Sequence, residues 1–293
     1  MKVWNLKGQV RMRLKEKAMR WVFLASACVC VAAVLLICVY LFMTGIPFFN
    51  EVNIFEFLSG TTWKPLQDIF GILPMIVGSI YVTAGAILLG GPIGILGGIF
   101  MARFCPKSIM RFLEPMIALM AGIPSVVYGF FGIRTLVPFV REVFGGYGFS
   151  ILTASILLAI MILPTLIQLT YSSVKAVPEN YFEGSLALGA TEERSVFRAV
   201  VPAANSGIMA ALVLGIGRAI GETMAVVMVV GNQARMTTNI LKGIRTLTSN
   251  IVTEMGYAAD LHREALIATG VVLFVFILLI NLLFSLLNRR VES

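Results

Sequence analysis

Charge is scarce in this 293-residue sequence: Asp, Glu, Lys and Arg together make up 13% of it, histidine occurs once, and aspartate occurs only as Asp68 and Asp260. Both aspartates and His262 fall in segments between the apolar runs, so an intramembrane aspartyl dyad or an embedded serine–histidine pair has no raw material. A solvated loop before a helix explains Asp260 and His262 as well as an acid–base pair does. No Gly-Lys dipeptide occurs, so the phosphate-cradling loop of an ATPase is missing. If ATP powers this protein, another subunit binds it. The glycine-rich GGPIGILGG at Gly90–Gly98 has no lysine after it and reads as close helix packing. The four cysteines, Cys28, Cys30, Cys38 and Cys105, lack the spacing of a metal site or a structural disulfide. The sequence therefore predicts no enzyme and no cofactor in this chain.

What is abundant is apolar surface, 58% of residues. Runs near Trp21–Met43, Gly71–Met101, Phe112–Ile133, Phe149–Ser173, Asn205–Gly231 and Ala265–Leu287 each reach the ~20 residues that cross a hydrocarbon core. They are continuous and not alternating, which excludes a membrane β-barrel. The fold class expected is an all-α polytopic membrane protein with six transmembrane helices, the first an uncleaved anchor. Pro74, Pro92, Pro124 and Pro164 fall in or at the ends of helices two to four, as kinks or as packing irregularities.

Most of the positive charge falls on one side of these spans. The tail up to and including Arg20, the 2–3 connection (Arg103, Lys107, Arg111), the 4–5 connection (Lys175, Arg194, Arg198) and Arg289–Arg290 hold it, whereas Lys64, Arg134, Arg141, Arg235, Lys242, Arg245 and Arg263 are spread over longer opposite loops. The positive-inside rule then puts both termini in the cytoplasm. The net charge of +8 is a topology and lipid-headgroup signal, with no patch suited to nucleic acid.

The 4–5 connection, KAVPENYFEGSLALGATEERSVFRAVVPAA, predicts Pro178, a short helix, Gly189 as its stop, Thr191 as an N-cap, a second short helix and Pro202. About thirty residues with two amphipathic helices exceed what joining two spans requires. The options are a docking surface or an interfacial hairpin on lipid. Glu183-Gly184-Ser185, followed by Gly189 and Pro202, resembles the EAA loop of ABC-importer permeases, with Gly184 and Ser185 in place of alanines.

AGIPSVVYGFFG at Ala121–Gly132, FGILPMIVGSIYVT at Phe70–Thr83, GRAIGETMAVVMVVGN at Gly217–Asn232 and the segment from His262 to Leu283 extend the likeness. They resemble phosphate-transporter permeases, most closely the PstC type and next the PstA type. The resemblance implies a type I ABC-importer permease of MetI-like architecture in a bacterial or archaeal cytoplasmic membrane. It divides the chain into a basic tail (1–20), a first helix and outer loop (21–69) and a permease core (70–290) with a coupling loop at about 174–204. Implied partners are a PstA-type sister permease, two copies of an ATPase subunit carrying ATP and magnesium, an extracytoplasmic phosphate-binding protein and membrane lipid. An ion-coupled phosphate carrier and a permease-like scaffold for phosphate signalling are the alternative functions.

Arg218 and Glu222 stand apart inside an apolar run. With helix five at about Asn205–Gly231, Arg218 falls at its midpoint, where an arginine costs on the order of 3 kcal/mol unless it faces protein or water. Glu222, four residues on, shares its helix face and is the expected partner. Gly217 and Gly221 form a Gly-x-x-x-Gly pattern, read as a helix contact. Either the pair pins two helices or both residues line an anion path, Arg218 attracting phosphate and Glu222 holding that attraction in check.

Overall fold

A computed structural model of the chain describes residues 3–291. Helix α1 (Val3–Gly45) leads through a 3-10 turn at Pro47–Asn50 and α2 (Ile54–Ser59) to a hairpin of β1 (Trp63–Lys64) and β2 (Ile69–Phe70). Then follow α3 (Leu73–Ile99), α4 (Lys107–Gly122), α5 (Ser125–Phe131), α6 (Val137–Phe144), α7 (Ile151–Lys175), α8 (Glu179–Ala187), α9 (Glu192–Ser195) and α10 (Val201–Ala203). The chain closes with α11 (Asn205–Gly221), α12 (Met224–Val229), α13 (Leu247–Glu254) and α14 (Asp260–Val291).

Among the described residues four helices are long and apolar enough to cross a membrane unbroken, and counting each of two bent pairs as one span gives six. The expected third span is two helices, α4 and the α5–α6 stretch, meeting at 96°. Pro124 causes the break, because a residue before proline is forced out of the helical region, and Ile123 is extended (φ −68°, ψ 126°). Pro92 and Pro164, by contrast, lie inside α3 and α7, which continue through them. The expected fifth span, Asn205–Gly231, starts just after a 70° bend from the stretch ending at Ala203, and its helix stops at Gly221.

At the centre α3 and α7 run side by side in the same direction, as the order of their contacts shows. Ser155 Oγ donates to the Val82 carbonyl at 3.2 Å, and Gly90, Gly94 and Gly98 face Ala159, Leu166 and Thr170 in turn. The glycine-rich segment therefore packs closely against a helix, as its composition suggested. A Cβ on Gly98 would stand 2.8 Å from the Ile167 carbonyl oxygen and 2.6 Å from Thr170 Cβ. Gly98→Val is expected to destabilise the bundle by about 1–3 kcal/mol. A thermal-unfolding midpoint in detergent equal to wild type would refute it.

Helix α11 returns antiparallel along α7, with Gly207 on Ser173 and Gly215 on Leu166. Their buried side chains, Leu157, Leu158, Ile162, Leu166 and Ala211 among them, form one core with Val82, Ala86, Ala225 and Val229. Helices α1 and α14 lie together at the periphery, and most of α1 beyond residue 15 is exposed, as a lipid-facing anchor should be. A second core caps one end, where Phe48, Phe57, Trp63 and Phe70 pack with Leu247, Ala265 and Leu266.

Candidate functional site

Two helices fix the depth of Arg218. Its guanidinium donates to Thr165 Oγ1 at 3.0 Å, and Thr165 lies about 21 Å along α7 from Ile151 and about 15 Å from Lys175. Arg218 therefore sits well inside the span, in the last turn of α11, with its side chain exposed on this chain. An exposed arginine at that depth is stable only beside water, an anion or another protein chain.

The expected Arg218–Glu222 helix pair does not form. Gly221 ends α11, and Glu222 is extended (φ −68°, ψ 127°), which carries its carboxylate off the arginine face. Glu222 Oε1 instead accepts from the Ala225 amide at 3.2 Å, capping α12, while its carbonyl accepts from Thr248 Oγ1 at 3.2 Å. Among the described residues no ion pair involves Arg218. Gly217 and Gly221 take no helix of the described residues: a Cβ on either would meet no neighbouring atom within 4 Å. The close approaches lie elsewhere, at Gly129, which faces Ala225 and Met228, and at Gly132, which faces Val229. These put the broken third span against the broken fifth. Unwound backbone at membrane depth persists only inside protein or beside a water-filled cavity.

At the C-terminal end of α7 the 4–5 connection folds as its residues predict. Leu188 ends α8, Gly189 turns left-handed (φ +86°), its amide donates to Leu186 O at 2.8 Å and the Ala190 amide to Ser185 O at 3.3 Å, a Schellman closure. Thr191 caps α9 through the Arg194 amide, and Pro202 lies in α10. Glu183, Gly184, Gly189 and Pro202 are exposed, Ser185 is half-buried, and α8 buries no residue. Sequence reading treated Arg103 only as a topology charge; it ties α8 to the end of α3. Its guanidinium donates to both Glu179 carboxylate oxygens at 2.8 and 3.1 Å and stands 5.5 Å from the Phe182 ring centroid.

A buried charged cluster at the opposite end escaped sequence reading altogether. Glu254, 6% exposed, takes the Trp63 indole N–H on Oε2 at 2.7 Å and His262 Nε2 on the same oxygen at 2.9 Å, and pairs through Oε1 with Arg245. Arg245 also donates to Asn232 O at 3.1 Å and Asn250 Oδ1 at 3.0 Å. His262 thus pairs with a glutamate eight residues away, and not with Asp260. The stretch Asn232–Arg263 contains α13, started by the Thr246–Ser249 capping box. That box was the one local signal available to sequence reading.

The profile of a family described as "Binding-protein-dependent transport system inner membrane component" matches residues 94–293. The chain belongs to this family. Curated relatives cover more of it. A probable ABC transporter permease protein, YqgH of Bacillus subtilis, is 39% identical over 284 residues, 93% of this chain and 92% of that protein. The phosphate transport system permease protein PstC of Mesorhizobium japonicum is 34% identical over 82% of this chain and 80% of its own. A probable PstC of Methanocaldococcus jannaschii is 30% identical, covering 83% and 84%. The PstC-type resemblance is thereby upheld. Among solved structures, a bacterial ABC transporter involved in import of the acidic polysaccharide alginate aligns over 96% of this chain and 100% of its own (TM-score 0.63, 15% identity). The inward-facing MetNI methionine ABC transporter aligns over 78% and 99% (TM-score 0.58, 18% identity). Both share the fold, that of an all-α, multi-pass inner-membrane permease.

Proposed function

We propose that the chain is the PstC-type permease subunit of an ATP-driven inorganic phosphate importer, working with a PstA-type sister permease, two ATPase subunits that bind ATP and magnesium, and a phosphate-binding protein. The observation that carries this reading is Arg218: an exposed, carboxylate-free arginine inside the span, beside an unwound stretch of helix. A planar, permanently charged donor there meets an oxyanion well. The PstC names of the relatives supply the anion class. The second sister chain would close the open face at Gly217, Arg218 and Gly221 into a path. ATP binding closes the ATPase pair, the exposed hairpin around Gly189 transmits the movement, and the bundle alternates between outward and inward access.

Labelled orthophosphate uptake in cells lacking the gene tests this. Complementation is expected to restore energy-dependent uptake, and a nucleotide-binding subunit is expected to copurify. Gly189→Trp adds bulk on an exposed left-handed residue whose Cβ would meet no atom within 4 Å, and is expected to lose that copurification while inserting normally. Uptake driven by an ion gradient with no ATPase attached would instead make the chain a secondary carrier.

A further inference from the structure

At the N-terminal end of α7, opposite the hairpin, a cavity of about 910 Å³ opens between the turn after α6, the far end of α12 and the loop 231–243. Its lining includes two cations, Arg235 and Lys242, three carboxamides, Asn232, Gln233 and Asn239, and the Tyr147 phenol, but no carboxylate. Arg235 and Lys242 are exposed and have no ion-pair partner among the described residues. The nearby Arg245 differs, since Glu254 already neutralises it.

The frame that holds these donors is well tied. Lys242 O accepts the Ile151 amide at 3.2 Å, the Ile244 amide donates to Val230 O at 3.1 Å, and Asn232 Nδ2 donates to Val227 O at 2.7 Å. Asn239 Oδ1 is used by the Leu241 amide at 2.9 Å, so its NH₂ remains to donate outward. A concave site with positive charge and N–H donors but no counter-charge concentrates anions.

One short helix links the basin to the site described above: Val227 and Met228 of α12 line the basin, and Glu222 caps the start of α12 at Met224, about 6 Å of helix before Met228.

We propose that this basin is an oxyanion vestibule, a weak first station that holds phosphate leaving the binding protein before it passes along α12 to Arg218. The proposal rests on the phosphate-import reading. Its physical consequence is stoichiometric: without the basin, released phosphate escapes before the path closes, and transport cycles run empty.

The test uses the whole importer, reconstituted in vesicles, with labelled orthophosphate as the probe. Two quantities are read: uptake per ATP hydrolysed, and the concentration of loaded binding protein that half-maximally stimulates hydrolysis. Arg235→Gln/Lys242→Gln is expected to lower uptake per ATP roughly tenfold and to leave the second quantity unchanged. The charge-keeping pair Arg235→Lys/Lys242→Arg is expected to restore uptake. Arg263→Gln, an exposed cation outside the basin, controls for net charge. The loss is expected equally in zwitterionic and anionic vesicles.

Unchanged uptake per ATP in the Gln pair overturns the proposal. A shift in the binding-protein concentration alone reassigns the basin to docking an acidic protein surface. A loss confined to anionic vesicles reassigns it to lipid headgroups. Failure of the wild-type complex to take up orthophosphate overturns the import reading beneath it, and is told apart because it occurs without any substitution.

Discussion

Arg218→Gln is expected to reduce phosphate uptake by roughly 10- to 100-fold while the subunits still assemble, the effect of losing one or two charge-assisted hydrogen bonds to a bound anion. Thr165 Oγ1 is the one hydrogen-bond partner of the Arg218 side chain among the described residues, so the exposed side chain gives up charge and little packing. No carboxylate is left unpaired, because Glu222 caps α12 through the Ala225 amide. Arg218→Lys keeps the charge without the planar fork and is expected to fall between the two. Uptake at the wild-type rate in Arg218→Gln, at equal membrane levels, would remove Arg218 from the path and shift attention to another helix.

The largest effect on stability is expected at Glu254. Its carboxylate receives Trp63, His262 and Arg245 in a site 6% exposed, and its removal leaves the Arg245 guanidinium without a counter-charge. Glu254→Ala is expected to cost about 3–5 kcal/mol, the usual result of breaking one side of a buried pair. The damage falls on the end cap, where Trp63 packs with Phe48, Phe57, Phe70 and Leu247. Thermal unfolding in detergent measures it. Removing both charges as Arg245→Met/Glu254→Leu is expected to recover part of the loss, since well-packed apolar residues often replace a buried pair without penalty. Equal destabilisation by the single and double variants would show that packing at residue 254, and not charge, holds the cap.

The two sites differ in how far local sequence could reveal them. The α8–α9 hairpin was legible because each of its signals acts within a few residues: Pro178 before a helix, Gly189 at a left-handed stop, Thr191 as a cap. Glu254 gave no such signal, because its indole partner lies 191 residues away. Arg218 was conspicuous, yet its partner was misread. The i,i+4 pairing assumed a continuous helix, and whether a helix continues past Gly221 depends on what else satisfies the freed backbone. Here Thr248 Oγ1 takes the Glu222 carbonyl, and the Glu222 side chain takes an amide of α12. Small residues at Gly217 and Gly221 permit a close approach, but the helix that would make it is not among the described residues.

Composition and run length by themselves determined that the chain lives in a membrane, is helical and crosses it about six times, because a hydrocarbon solvent leaves the backbone few alternatives. Local motifs determined the two-helix hairpin and marked Arg218 as a residue needing an explanation. The tertiary structure decided where the third and fifth spans break, which glycines take a neighbouring helix, which buried charge pairs with which, and which cations have no ion-pair partner among the described residues. Those outcomes are set by partners distant in sequence that supply or withhold a hydrogen bond, a counter-charge or a packing surface, and no single segment carries that information.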